Sequence, residues 1–434
     1  MRLTFTNARL IDPASGHDGP GGLTVDDGRI IAFHAGPAPK TTGKTVDCAG
    51  KVLAPGLVDM RVFVGEPGAR HRESFRSAGA AAAAGGVTSF VAQADTTPAL
   101  DDPALVQFAL SRAAEAAPVR VHVMGALTRG LQGREMTEQQ LLLDAGAVAL
   151  SDADHPVADT AVMRSVLSYA TSTGALVVHH PQDAALSARG CATSGEFATR
   201  LGLPSVPAIA ERIGLERDLA LAEATGARYH ADLVTTAAAL APLARAREAG
   251  ADVTAATSIH HLTLNEFDIG AYRSFFKLAP PLRAEDDRRA TVEALAAGTI
   301  DIVVSGHAPW DTEAKRLPFE EAATGAVALE TFLPALMRLV HAGDLDLLRA
   351  FEAASLAPAR RLGLEGGSLQ PGAPADLVLF DPDAPFLLDR TALRSKSKNT
   401  PFDRTRMEGR VLGTWVAGQR VYDAAAAGAP APAG

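Results

Sequence analysis

Few residue types in this sequence are equipped for chemistry, and they fall in short groups. Imidazoles stand in pairs at His179-His180 and His260-His261, and singly at His230 and His307. A neutral imidazole is a borderline-soft donor that suits zinc, and it can also carry protons near neutral pH. Carboxylates sit close to apolar runs at Asp95, in Gln-Ala-Asp-Thr-Thr, and at Asp152, in Leu-Ser-Asp. Sulfur contributes little. Cys48 and Cys191 are the two cysteines, far apart and without a CxxC spacing. A disulfide framework and a thiolate metal cluster are both excluded.

Whether these groups meet depends on the elements that carry them. The chain has 434 residues, of which 47% are hydrophobic and 21% charged. That length suits a large α/β barrel with an appended domain. The formal net charge is −9, with no local Lys/Arg cluster, which argues against a nucleic-acid partner. No stretch offers about 18 uninterrupted apolar residues, so no membrane span is expected. The opening Met-Arg-Leu-Thr-Phe-Thr reads as a strand rather than a signal peptide, and a cytoplasmic location is expected.

Both chain ends read as β. In Leu-Thr-Val-Asp-Asp-Gly-Arg-Ile-Ile-Ala-Phe an Asp-Gly turn separates two apolar runs, a hairpin in which Gly28 takes the positive φ. The runs 372–380 and 409–421 read as turn-then-strand segments. Between the ends, apolar strand candidates alternate with Ala/Leu-rich helices. The strands are LVDMRVFV, TSFVAQA, VRVHVMGA, AVALSD, ALVVHH, ARYHADLV, DVTAATS and DIVVSG. Helices are predicted over Ser77–Ala84, Pro103–Ala117, Thr160–Thr173, Ala238–Ala249 and Arg288–Ala297. Eight such strands, with no Gly-rich phosphate loop after the first, predict a (β/α)8 TIM-like barrel rather than an open doubly wound sheet. The expected organisation is a small β-sandwich domain from residues 1–54 and 365–424, a barrel over 55–364, and a flexible tail at 425–434.

Ordered motifs add a resemblance. Ala54-Pro-Gly-Leu-Val-Asp-Met60, Glu66-Pro-Gly68 and the Ala80–Thr88 run open it. Leu150-Ser-Asp152, Val177-Val-His-His180, Arg200-Leu-Gly-Leu-Pro204, Ser258-Ile-His-His-Leu262 and Pro280-Pro-Leu-Arg283 follow. His307-Ala-Pro309, Leu329-Glu330, Gly372-Ala-Pro-Ala-Asp376 and Asn399-Thr-Pro-Phe402 complete it. In this order the chain resembles the dihydroorotases of the amidohydrolase superfamily over essentially its whole length.

The resemblance implies a zinc-activated hydroxide at the barrel mouth that opens or closes a cyclic amide, with an Asp moving the proton. It also shows what this chain lacks. The family's first-strand His-x-His pair falls at Arg61 and Phe63. The sixth-strand His falls at Leu233, and His230, at an odd offset, reads as structural. The catalytic Asp falls at Gly306, beside a retained His307, and a further His falls at Trp310. The substrate-binding Arg falls at Gly65, and the substrate Asn positions at Asp95 and Ala279. His180 matches a ligand and Asp152 a carboxylate near the metals. As a pair they are weak metal candidates, since zinc sites supply three or four protein ligands. The expected alternative is that Arg61 pairs with Asp152 or Asp95 and fills the vacant site.

The chain is therefore expected to resemble the inactive dihydroorotase homologues that assemble with aspartate transcarbamoylase in pyrimidine biosynthesis, as an oligomer and without a cofactor. Two alternatives remain: a hydrolase with a rebuilt zinc site using Asp152 and His180, and a binder of an anionic pyrimidine intermediate through Arg61.

Overall fold

The structure, a computed structural model, describes residues 2–37 and 43–426. Eight parallel strands pair in chain order: Leu57–Val62, Val87–Ala92, Arg120–Gly125, Ala149–Leu150, Leu176–His179, Arg228–Ala231, Val253–Ser258 and Ile302–Val304. The ring closes between its first strand and the residues after its eighth, where Val62 bridges His307 and the Phe63 amide donates to the His307 carbonyl at 2.9 Å. Val87–Ala92 is buried at every position. Strands covered on both faces carry continuous apolar runs rather than alternation, as in this α/β barrel.

The helices around the barrel are set by their ends. Thr160–Thr173 starts at Asp159, whose carboxylate accepts from the Ala161 and Val162 amides, and stops at left-handed Gly174. Phe75–Ala84 starts two residues before the predicted Ser77, because Ser74 and Ser77 form a reciprocal capping box. The longest helix among the described residues, Ile209–Thr225, was not among the predicted helices. Its inner face buries Glu211 and Asp218, so the sequence shows no clean apolar stripe there.

The chain ends build one mixed sheet. Val52–Pro55 pairs antiparallel with Leu377–Asp381 and so joins N-terminal strands to C-terminal ones. The predicted hairpin is present, with Asp26 opposite Arg29 and positive φ at both Asp27 (47°) and Gly28 (75°), the conformation a two-residue type I′ turn needs. Phe5 and Trp415 meet edge to face at 5.0 Å in its core. The architecture is thus a TIM-like barrel with a β-sandwich domain drawn from both ends. From residue 427 on, the tail expected at 425–434 lies outside the described residues. No helix among the described residues is long and apolar enough to cross a membrane.

Candidate functional site at the barrel mouth

The ends of the barrel strands enclose a cavity of about 560 Å³. Arg61, Phe63, Asp95, Leu233, Ala279, Gly306, His307 and Trp310 all line it, whereas Gly65, Asp152 and His180 do not.

Arg61 projects from the first strand and is almost fully buried. Its two terminal nitrogens pair with Asp232, after the sixth strand, and Asp154, after the fourth. One guanidinium therefore ties three strand ends together across the mouth. A salt bridge fills the position, but its carboxylates differ from the expected Asp152 or Asp95. Asp152 spends both oxygens on the loop after the third strand, accepting from the Leu127 amide (2.8 Å), the Thr128 amide (2.9 Å) and the Thr128 hydroxyl. The residue between the two aspartates explains the difference. Ala153 has φ 52°, so the chain turns and side chains two apart no longer share a side. Asp154 stays 44% exposed at the rim. Desolvation pushes its carboxyl up, but the Arg61 and His180 charges pull it below its ordinary value.

The imidazoles divide by task. His179 accepts from the Val157 amide on Nε2 (2.9 Å), so its Nδ1–H donates to Asp218 (2.7 Å). His261 accepts the Ser258 hydroxyl (2.7 Å) and donates to the Pro280 carbonyl (2.9 Å). His307 accepts from the Ala328 amide at 3.0 Å and faces Glu73 across 3.4 Å. His230, as expected, turns away from the cavity and bonds the Thr254 hydroxyl at 2.7 Å. His180 contacts the Asp232 carbonyl at 3.2 Å, and burial pushes it down to about 4, so it is neutral at pH 7. The His260 ring lines the cavity and stacks on Phe402, and its Nε2 is buried without a partner, as is that of His230.

Sequence reasoning missed Arg72. Its guanidinium lies over the Phe63 ring (3.9 Å to the centroid) and the Trp310 ring (3.4 Å), and its Nε donates to the Pro309 carbonyl (2.9 Å). Burial lowers its pKa to about 10, against the pull of Asp95 and Asp311. The signal was present in the sequence. Phe63 and Trp310 are aromatic residues at two positions to which the resemblance assigns imidazoles, and π faces attract a cation.

Two glycines stand in tight surroundings at positions where the resemblance places functional side chains. A Cβ on Gly65 would lie 2.2 Å from the Ala69 carbonyl oxygen, so no side chain fits there. Gly306 has φ 67°, and a Cβ would sit 3.1 Å from Ser258 Cβ. Zinc does not fit the residues present. Among the described residues no three His, Cys, Asp or Glu side chains are placed to share an ion. The ligand positions of the first strand hold an arginine, itself ion-paired, and a phenylalanine.

Comparison with known proteins decides the family. A profile described as dihydro-orotase-like matches residues 50–238. The dihydroorotase of Syntrophotalea carbinolica is 38% identical over 97% of this chain and 99% of its own length. That of Anaeromyxobacter dehalogenans is 39% identical, over 97% and 98%. The chain belongs to the dihydroorotase family.

Among solved structures, the L-hydantoinase (dihydropyrimidinase) of Arthrobacter aurescens superposes with a TM-score of 0.88, at 25% identity, over 97% of this chain and 96% of that one. The dihydropyrimidinase of Brevibacillus agri, at 21% identity and a TM-score of 0.84, shares the fold. Within that family, this chain's barrel mouth is lined by Arg61, Phe63, Leu233, Gly306 and Trp310.

Proposed function

We propose that this dihydroorotase-family protein serves pyrimidine biosynthesis as a non-catalytic subunit that assembles with aspartate transcarbamoylase. The observation that carries the reading is Arg61, ion-paired to Asp154 and Asp232 where the family resemblance places a metal ligand. Hydrolysis of a cyclic amide needs an activated water and a group to move its proton. Gly306 supplies no carboxylate, and a guanidinium does not deprotonate near neutral pH. The rebuilt-site alternative would need Asp152, whose oxygens are held by Leu127 and Thr128.

The test has two parts. Purified protein supplied with zinc is assayed for interconversion of dihydroorotate and carbamoyl aspartate, and its metal content is measured. The expected result is no turnover above a protein-free blank and substoichiometric zinc. Turnover with stoichiometric zinc would overturn the non-catalytic reading. Mixing with the aspartate transcarbamoylase of the same organism, followed by size-exclusion chromatography with light scattering, should give one larger species. Separate elution would overturn the partnership.

A further inference from the structure

The remodelled cavity leaves opposite charges facing it without protein partners. Asp95 Oδ1 is buried and accepts no hydrogen bond. Among the described residues no ion pair joins the Asp95 side chain to any cation, Arg72 included, although both line the same cavity. Arg72 is held on both faces by rings and at Nε by a carbonyl, which leaves the outer edge of its guanidinium without a protein acceptor. The His260 ring, 1% exposed, also lines the cavity. Arg61 is not available, because Asp154 and Asp232 already neutralise it. The wall also offers the apolar side chains of Leu131, Leu233 and Leu278.

An unpaired buried charge is costly, and an isolated carboxylate and an isolated guanidinium on one cavity each call for an opposite charge. The charge balance selects the ligand. Among the lining residues Arg61 and Arg72 stand against Asp95 and Asp154, so the wall is formally balanced. A purely anionic ligand would meet Asp95 head on. A molecule with both charges satisfies both ends.

We propose that this cavity is a binding site for a small amino-carboxylate zwitterion with an apolar side chain, its carboxylate on the outer edge of Arg72 and its ammonium on Asp95. The apolar part lies against Leu131, Leu233 and Leu278. The volume of about 560 Å³ is within the range of small-molecule sites. The carboxyl of Asp95 is pushed up to about 6, by burial first and then by Asp154, as expected of an anion awaiting a partner. The inference rests on the reading that Arg61 and not a metal occupies the mouth.

The test uses the full chain and three matched probes at 10 mM: L-leucine, which carries both charges, L-leucinamide, which carries only the cation, and 4-methylpentanoate, which carries only the anion. L-leucine should raise the thermal midpoint by about 1–2 °C, since a ligand that binds only the native state stabilises it. The two single-charge probes should have little effect. In Asp95→Asn, nearly isosteric with the wild-type residue, the L-leucine shift should disappear. Arg72→Gln should abolish it too, with circular dichroism confirming that the variant folds. Equal shifts from 4-methylpentanoate and L-leucine would overturn the proposal in favour of an anion site, and so would an L-leucine shift that survives Asp95→Asn. No shift from L-leucine in metal-free, inactive protein would overturn this proposal alone. Stoichiometric zinc with turnover would overturn the underlying reading first.

Discussion

Two sides of the barrel mouth mount an arginine against carboxylates, with opposite results. On one side, Arg283 reaches Glu211 at 3.2 Å and the Thr235 hydroxyl at 3.0 Å, while Glu211 accepts from the amides and hydroxyls of Thr235 and Thr236. The atoms left over, Arg283 Nη1 and Gln182 Oε1, are a donor and an acceptor of one network, and neither residue lines the cavity. On the other side, Arg61 is paired, but Arg72 and Asp95 face open space. The first side pairs its charges and holds loops together. The second has spent one arginine as a tether and left another, with an aspartate, unspent. The difference teaches that one arginine ion-paired across the strand ends leaves the mouth of the barrel open.

Breaking the paired side should have the largest effect. Glu211→Ala leaves Arg283 buried without its carboxylate, and urea denaturation should show a loss of roughly 3–5 kcal/mol. A loss below 1 kcal/mol would make the two sides equivalent. Arg61→Met removes the cation between Asp154 and Asp232. The expected cost is about 3 kcal/mol by the same measurement, toward the low end because Asp154 at the rim can rehydrate. An unchanged midpoint would mean the tether is dispensable.

Asp95→Asn should act in the other direction. Folding raises this carboxyl from 3.8 to about 6, so the native state holds the proton more tightly than the unfolded chain does. Its contribution favours folding below pH 4 and is lost as pH rises through 6. The asparagine variant should therefore be more stable by about 1–2 kcal/mol at pH 7.5, with the gain gone by pH 4. A gain independent of pH would rule out titration of Asp95 as its source. Trp310→Leu has the smallest expected effect, a loss of about 1 kcal/mol, as one face of Arg72 is uncovered. No loss would show that Phe63 alone holds the guanidinium.

Much of the frame was legible in the sequence. Strand and helix alternation predicted the barrel, and the Asp27-Gly28 turn predicted the hairpin, because both depend on local periodicity and backbone preference. The helix at Ile209–Thr225 was hidden because its inner face carries carboxylates whose burial depends on partners distant in sequence, Arg283 for Glu211 and His179 for Asp218. The positions where the chain departs from the resemblance were legible too, since each is a matter of residue type. Their consequences were not.

By itself the sequence determined that this is a dihydroorotase-family barrel whose residues 61, 63, 233 and 306 offer no metal ligand or acid. Only the tertiary structure decided that Arg61 pairs with Asp154 and Asp232 rather than Asp152 or Asp95, and that Arg72 lies between Phe63 and Trp310. The reason is physical. A residue's type fixes what a side chain can do, but its direction depends on local turns such as that at Ala153, and its partner on chain segments that only folding brings together.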